Sequence, residues 1–409
     1  MIFSYYKLIY FLPIAIVTGP FLTNTIVLLC SILFLVDTFR LKLFKYYDND
    51  FFKIFLLFYI FLNLSSFFSD NLSAFKYSIS YLRYGIFSIF LFYILRNKYE
   101  FQLQLGYSII FTLIFLLFDG YFQFIFDKNI FLFELQKYNE YSYYITSLFG
   151  DEKVLGSFLT KIFPIFLLSL LLIKNKFNHL KFEKIFSILI ILFFFLIILT
   201  TERVAIFYIT IFILTLFFKS QVLFKPKLIF FIFIIILLIS FFYFYPEFFY
   251  KIKSVFFSMG LIHPGYSSFG KILGEYDSGK FIYSKFHHEQ IVLSINTFLE
   301  SPFFGIGAKN FKNIPGSGWH PHNYHAQVLT EIGIFGYLIF FSTYIFLIVK
   351  LLINLFRFNN KDFKNEINLY FLTGFVLILT PIPSADFFNS WVNTLIFLPV
   401  GFYLNINEK

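Results

Sequence analysis

Apolar runs of roughly 20 residues, the length that crosses a bilayer core as helix, recur along almost the whole chain. Of the 409 residues, 59% are hydrophobic, 71 are phenylalanine and only 14% are charged. A water-soluble fold of this composition would expose very large apolar patches, so lipid is the expected solvent. Spacing the runs by hydropathy places spans near residues 5–18, 22–38, 52–68, 76–95, 104–126, 155–173, 183–200, 202–218, 228–246, 323–349, 366–382 and 389–405. The expected fold is an all-α polytopic membrane protein of about twelve transmembrane helices. Residues 1–246 would hold helices one to nine, 247–322 a large extracytoplasmic loop subdomain before the tenth, and 323–409 helices ten to twelve.

Lysine and arginine mark the cytoplasmic loops of such a protein. Here Arg40, Lys42, Lys45 and Lys53, then Arg96 and Lys98, then Lys174, Lys176, Lys181 and Lys184, alternate with loops poor in positive charge. Lys219, Lys225 and Lys227, and later Lys350, Arg357, Lys361 and Lys364, continue the alternation. Both termini are therefore expected inside the cell, and the two longest polar segments, 127–154 and 247–322, outside it. The formal charge of +10 does not point to nucleic acid, because the basic residues sit in short clusters between apolar runs and form no stripe. The single cysteine, Cys30, permits neither a disulfide within the chain nor a cysteine-based metal site. The apolar stretch from Leu8 to Val36 carries no small-residue cleavage site and reads as a retained hairpin.

The densest polar constellation is Trp319-His320-Pro321-His322-Asn323-Tyr324-His325, which holds three of the seven histidines and ends the large outer loop. A helix starting near Pro321 would put His322, His325, Leu329, Gly333 and Gly336 on one side and Tyr324, Gln327 and Glu331 on the other. The small residues Gly333 and Gly336 would allow close helix packing and hold His322 at the rim of the bundle, a perch for a general base. Two plainer readings compete: a wet interfacial cluster, or imidazoles around a metal. The metal reading lacks a Cys or nearby Asp to complete a tetrahedral site, so no metal or other cofactor is expected.

Of five arginines, Arg40, Arg96 and Arg357 fall in cytoplasmic loops, whereas Arg83 and Arg203 fall at or within the outer half of the membrane. A guanidinium there is costly unless it meets an anion, and its planar fork suits phosphate oxygens. Both are candidate phosphate ligands. The plainer role for Arg203 is an ion pair with Glu202 or a lipid headgroup, and for Arg83 a pair that stabilises the bundle. Lys161 and Asp119 fall inside spans and are given no chemistry.

The stretch Glu300-Ser301-Pro302-Phe303-Phe304-Gly305-Ile306-Gly307-Ala308-Lys309-Asn310-Phe311, followed by Pro321-His322-Asn323 and Glu331-Ile332-Gly333-Ile334-Phe335-Gly336, resembles the signature of the O-antigen ligase and O-antigen polymerase superfamily. Gly150-Asp151-Glu152-Lys153-Val154-Leu155-Gly156-Ser157 and the turn Thr201-Glu202-Arg203 are similar to weaker elements of the same pattern. The resemblance covers residues 140 to 340 or so, and its specificity lies in the order and spacing of short motifs. It implies a membrane glycosyltransferase of the bacterial inner membrane that needs neither nucleotide nor metal and acts on the periplasmic face. The donor would be a glycan on undecaprenyl pyrophosphate, and the acceptor a sugar hydroxyl of lipid A core or of a growing glycan. The family histidine falls on His322, activating that hydroxyl, and the family arginine on Arg203, engaging the pyrophosphate. A second arginine usual upstream of the Pro-x-x-Gly-x-Gly run is absent, and His287 and His288 stand there with Lys285 nearby. His320, Asn323, His325, Glu331 and Glu202 would support the site.

Ligase and polymerase share these motifs and differ in acceptor. The rival from another class is a lipid-linked glycan flippase or transporter, which would favour internal duplication and charges lining the bundle midplane. Neither feature is present in the sequence.

Overall fold

The computed structural model describes residues 5–69, 71–139, 142–173, 179–219, 285–357 and 362–408. The expected ninth span, 228–246, and most of the expected outer loop, 247–284, lie outside the described residues. A 3-10 turn at Tyr5–Phe11 leads into α1 (Leu12–Thr18), α2 (Pro20–Leu41), α3 (Asp50–Phe68), α4 (Leu72–Ser80), α5 (Leu82–Asn97) and α6 (Tyr99–Phe126). A small hairpin, β1 (Gln136–Asn139) and β2 (Ser142–Tyr144), precedes α7 (Leu155–Ile173), α8 (His179–Leu199) and α9 (Arg203–Lys219). The last elements are α10 (Lys285–Glu300), α11 (Tyr324–Phe356), α12 (Phe363–Leu379) and α13 (Ser390–Asn407).

Apart from that hairpin the described chain is helical, and six of its helical stretches are long and apolar enough to cross a membrane. These are Pro20–Leu41, Asp50–Phe68, Leu72–Asn97, Tyr99–Phe126, Leu155–Ile173 and Tyr324–Phe356. Helices also stand at the other expected spans that fall on described residues, but they are shorter or less apolar. The sequence punctuates the helices with polar caps. Asn49, Asn71, Asn323 and Asn389 precede α3, α4, α11 and α13, and each side-chain oxygen accepts from a first-turn amide that would otherwise lack a partner.

Helix α7 is apolar all round and buried almost along its full length, as expected of a helix at the centre of a bundle. It packs against α6, α8, α9, α12 and α13, while α5 lies along α13 and α2. One end of the bundle gathers the 42–49 turn, the α5–α6 junction and the two ends of the described chain. There Tyr46 hydrogen-bonds to Asn97, Arg96 donates to the Glu408 carbonyl at 2.7 Å, and Tyr5 reaches Asp37. The opposite end gathers Asn71, the 301–323 segment and the 380–389 turn, through Asn71 to Asn310 at 2.6 Å and Ser384 N to His322 O at 2.8 Å. Among the described residues the basic turn at 42–49 and the α5–α6 junction thus stand at the end opposite the histidine segment.

The start of α11 differs from expectation. The helix begins at Tyr324 rather than Pro321, because Asn323 takes the cap, so His322 precedes the helix in a left-handed conformation with φ +55°. His322 and His325 therefore do not share a helical face. Gly333 breaks α11 with φ 75° and ψ −175° and lets the 301–305 segment approach, since a Cβ there would collide with Phe303 O; a Cβ on Gly336 would instead meet Ile332 of its own helix, and α3 only at 3.7 Å.

Candidate active site

The break at Gly333 receives the Gly-x-Gly loop. Ile306 N donates to Thr330 O at 3.1 Å, Gly307 N to Glu331 O at 2.9 Å, and Ile334 N to Pro302 O at 2.8 Å. Two helix carbonyls and one helix amide thereby pair with the loop, which an unbroken helix could not offer. Gly305 and Gly307 have φ +70° and +87°, and a Cβ on Gly305 would lie 2.6 Å from Thr330 O, so the clasp requires glycine. The Glu331 carboxylate completes it, accepting from Lys309 N at 2.9 Å and Phe311 N at 3.1 Å. Glu331, expected to support the histidines, instead orders the loop that carries them.

Helix α10 fixes the other end of that loop. Gln290 accepts from Gly318 N at 2.6 Å and donates to Gly316 O at 3.3 Å, while Ser294 and Thr330 hydrogen-bond to lock α10 against α11. His287, His320 and His322 come together between them. The His322 ring lies 4.0 Å from that of His320, 4.6 Å from that of His287 and 5.5 Å from that of Phe286, centre to centre. His322 N donates to Nδ1 of His320 at 3.0 Å, which assigns the proton of neutral His320 to Nε2.

Burial, with His320 and His287 as neighbours, pushes the His322 pKa down to about 3. Burial and His287 push His320 down to about 4. His287 is lowered by burial and by the charge of Arg203, so Arg203 is within electrostatic reach of the cluster. Neutral imidazoles can accept a proton at pH 7, although His322 is a weaker base than an ordinary histidine. His288 is half-buried on the same helix, and Lys285 opens it.

Arg203 is exposed at the start of α9 and is positioned by its neighbour. Both oxygens of Glu202 accept from the first turn of α7, at 2.6 Å from Gly156 N and 2.8 Å from Ser157 N. A Cβ on Gly156 would fall 2.5 Å from Thr200 Oγ1, so only glycine permits this approach. The Gly-Ser segment and the Thr-Glu-Arg turn, 45 residues apart in the chain, are one structural unit. Lys161 donates to Ser157 Oγ at 3.1 Å, and Asp119 takes Ile130 N at 2.9 Å together with Ser147, so neither neutralises the other.

Two expected residues belong elsewhere. His325 is buried, with Nε2 2.8 Å from Leu379 O and Nδ1 3.2 Å from the Tyr337 hydroxyl, and ties α11 to the end of α12. Arg83 donates to Ser80 O at 3.0 Å and to the Tyr84 hydroxyl at 2.9 Å on α4–α5. Asn323 caps α11 through Ala326 N. Gln290, Gln327 and Asp386, which were not singled out by sequence, hold the site's backbone; their only sequence signal is polarity inside apolar helices and turns. A cavity of about 210 Å³ between α3, α11, α12 and α13 is lined mainly by aromatic and aliphatic side chains and contains none of the candidate residues. Among the described residues no group of three or more His, Cys, Asp or Glu is placed to hold a metal ion.

Residues 188–341 match the family model for O-antigen ligase. This part of the chain is thus similar to O-antigen ligases. The matched region spans α9, the histidine cluster, the Gly-x-Gly clasp and the break at Gly333. No curated protein and no solved structure matches the chain.

Proposed function

We propose that the protein transfers a glycan from undecaprenyl pyrophosphate to an acceptor sugar hydroxyl on the periplasmic face of the inner membrane, in the manner of an O-antigen ligase. The observation that carries this reading is the gathering of His322, His320 and His287 within reach of Arg203 at the end of the bundle opposite the basic turn at 42–49.

In the reaction, neutral His322 takes the proton of the acceptor hydroxyl as its oxygen attacks the anomeric carbon of the donor. The anomeric carbon–oxygen bond to the pyrophosphate breaks, its electron pair leaves on the phosphate oxygen, and Arg203 stabilises the charge that accumulates there. The products are the extended acceptor and undecaprenyl pyrophosphate. A pyrophosphate is already a good leaving group, so one base and one cation suffice. His320 and Phe286 hold the His322 ring in place, and Glu202 holds the turn that presents Arg203. His287 and His288 stand where a second arginine is usual in the family, and His287 is within electrostatic reach of Arg203.

Deletion of the gene followed by analysis of surface polysaccharide tests the reading. Accumulation of finished chains not joined to lipid A core supports a ligase. Lipid A core capped with single repeats identifies a polymerase of the same superfamily. Unchanged glycan overturns both.

A further inference from the structure

A second set of cationic groups stands apart from the histidines. On α4–α5, Tyr77, Tyr81 and Tyr84 form a ladder, with ring centres 6.2 Å apart for the first pair and 5.2 Å for the second. The Lys309 ammonium lies 4.3 Å from the centre of the Tyr77 ring, and the Arg83 guanidinium 4.6 Å from that of Tyr84. The hydroxyls of Tyr77 and Tyr81 are spent on Phe388 O and Asn393 Oδ1, which fixes the rings. One cation therefore sits at each end of an aromatic ladder whose polar tips face another element.

Among the described residues neither cation has a counterion. Among the described residues no carboxylate lies within 4 Å of the Lys309 ammonium or the Arg83 guanidinium, and the recorded ion pairs are Lys53–Asp48 and Lys128–Glu134. The acids that act electrostatically on Lys309 are Asp386 and Glu331, and both are occupied. Asp386 accepts from Gln327 at 2.6 Å and from Phe388 N at 2.9 Å, and Glu331 holds the amides of Lys309 and Phe311. Donors are left over: Arg83 Nε is buried without a hydrogen-bond partner, and so is the hydroxyl of Tyr324, whose residue is 1% exposed. Arg83, Asp386 and Tyr324 all act electrostatically on Tyr81, so these orphan donors share one neighbourhood.

A partly buried cation without a counterion is costly, and a buried donor without an acceptor adds to the cost. The backbone nevertheless invests in the arrangement. Lys309 is held at φ +61°, outside the ordinary range for a side-chain-bearing residue, by the Glu331 clasp. Both residues are partly buried rather than fully enclosed. The 380–389 turn connects this place to the histidines, since Ser384 holds the His322 carbonyl and Asp386 lies beside Lys309.

We propose that Lys309 and Arg83 form an anion-binding site that takes an acidic group, a phosphate or a carboxylate, on the sugars of the acceptor. The assignment to the acceptor rests on the glycan-transfer reading above, in which Arg203 serves the donor. The two cations act on each other electrostatically, and the anion answers both, draws on Arg83 Nε and sets the acceptor sugar relative to His322. Such a site selects acidic acceptors over neutral ones, because a neutral sugar leaves both cations unpaired.

The test is direct binding to the full chain in nanodiscs, by ligand-observed NMR, with glucose 6-phosphate, glucuronate and glucose as probes. Both acids should bind about tenfold or more tightly than glucose, as charge-assisted hydrogen bonds allow, with the advantage shrinking as salt rises. Glucuronate and glucose 6-phosphate together separate carboxylate from phosphate recognition. Lys309→Gln and Arg83→Gln should each abolish most of the preference, and Lys309→Arg should retain it. Lys309 is in a loop, so its variant reads out even where Arg83→Gln disturbs the bundle. Equal binding of glucose and the acids overturns the proposal, as does a preference that survives Lys309→Gln. A preference lost in Arg203→Gln but kept in Lys309→Gln reassigns the anion to the donor site. Because no transfer is measured, these outcomes stand apart from success or failure of the transfer reaction.

Discussion

The backbone amide of His322 donates to the Nδ1 of His320 across 3.0 Å, which a left-handed His322 makes possible. One histidine is thus held by the main chain of the other, and the His322 imidazole is left with its own nitrogens for chemistry. If it is the base, His322→Ala should lower turnover by roughly 10²-fold or more while donor binding survives. His320→Ala should act more mildly, through the placement of His322. Transfer rate and binding of a polyprenyl pyrophosphate donor, measured on the same purified variants, check both; a His322→Ala protein working at the parental rate removes the catalytic role.

Arg203→Lys keeps the charge and loses the planar fork, so it should raise the donor KM and lower turnover together. Gly156→Ala should reproduce part of that effect without touching a charged group, since the new methyl meets Thr200 Oγ1 and displaces the Thr-Glu-Arg turn. Steady-state kinetics against the donor decide; a normal donor KM in Arg203→Lys would make that residue a lipid or protein contact instead.

The pH dependence follows from the lowered histidines. Their ordinary value is 6.5; burial, His320 and His287 push His322 to about 3, and burial and His287 push His320 to about 4. The acid limb of kcat/KM should therefore fall well below pH 6.5, because the free enzyme keeps His322 neutral there. Between pH 6.5 and 3 an unfolded segment would bind protons that the folded site refuses, so the 285–323 region should lose stability as pH falls through that window. Above pH 6.5 these groups contribute no pH dependence. Phe286→Ala should move the acid limb upward by admitting water.

Glu331→Gln leaves one acceptor oxygen where the loop amides of Lys309 and Phe311 need two. One buried amide then loses its partner, at a cost of about 1–3 kcal/mol. Thermal unfolding in detergent should register the loss, and limited proteolysis should cut first within 301–314.

Orientation can be read with single cysteines at Trp319 and Phe356, which are 82% and 86% exposed, after Cys30 is replaced. A membrane-impermeant thiol reagent applied to intact cells with a permeable outer membrane should label the first and spare the second. Labelling only at Phe356 inverts the topology.

Hydropathy alone determined that this is a helical membrane protein, and loop charge separated the 42–49 turn and the α5–α6 junction from the 301–323 segment, which the fold places at the opposite end. Both signals are local: each span carries its own apolar length and each loop its own lysines. The motif residues were legible too, since Gly305, Gly307, Glu331, Gly333 and His322 stand in one stretch of chain. Their roles were not. A helical wheel from Pro321 put His322 and His325 on one face, but the Asn323 cap starts the helix later, and His325 turns to Leu379, 54 residues away. Nothing local reveals that Glu331 serves Lys309 and Phe311, that Glu202 holds the first turn of α7, or that Lys309 and Arg83 share a tyrosine ladder. These are long-range pairings of buried polar groups, and each is decided by which donors the packed bundle leaves unsatisfied.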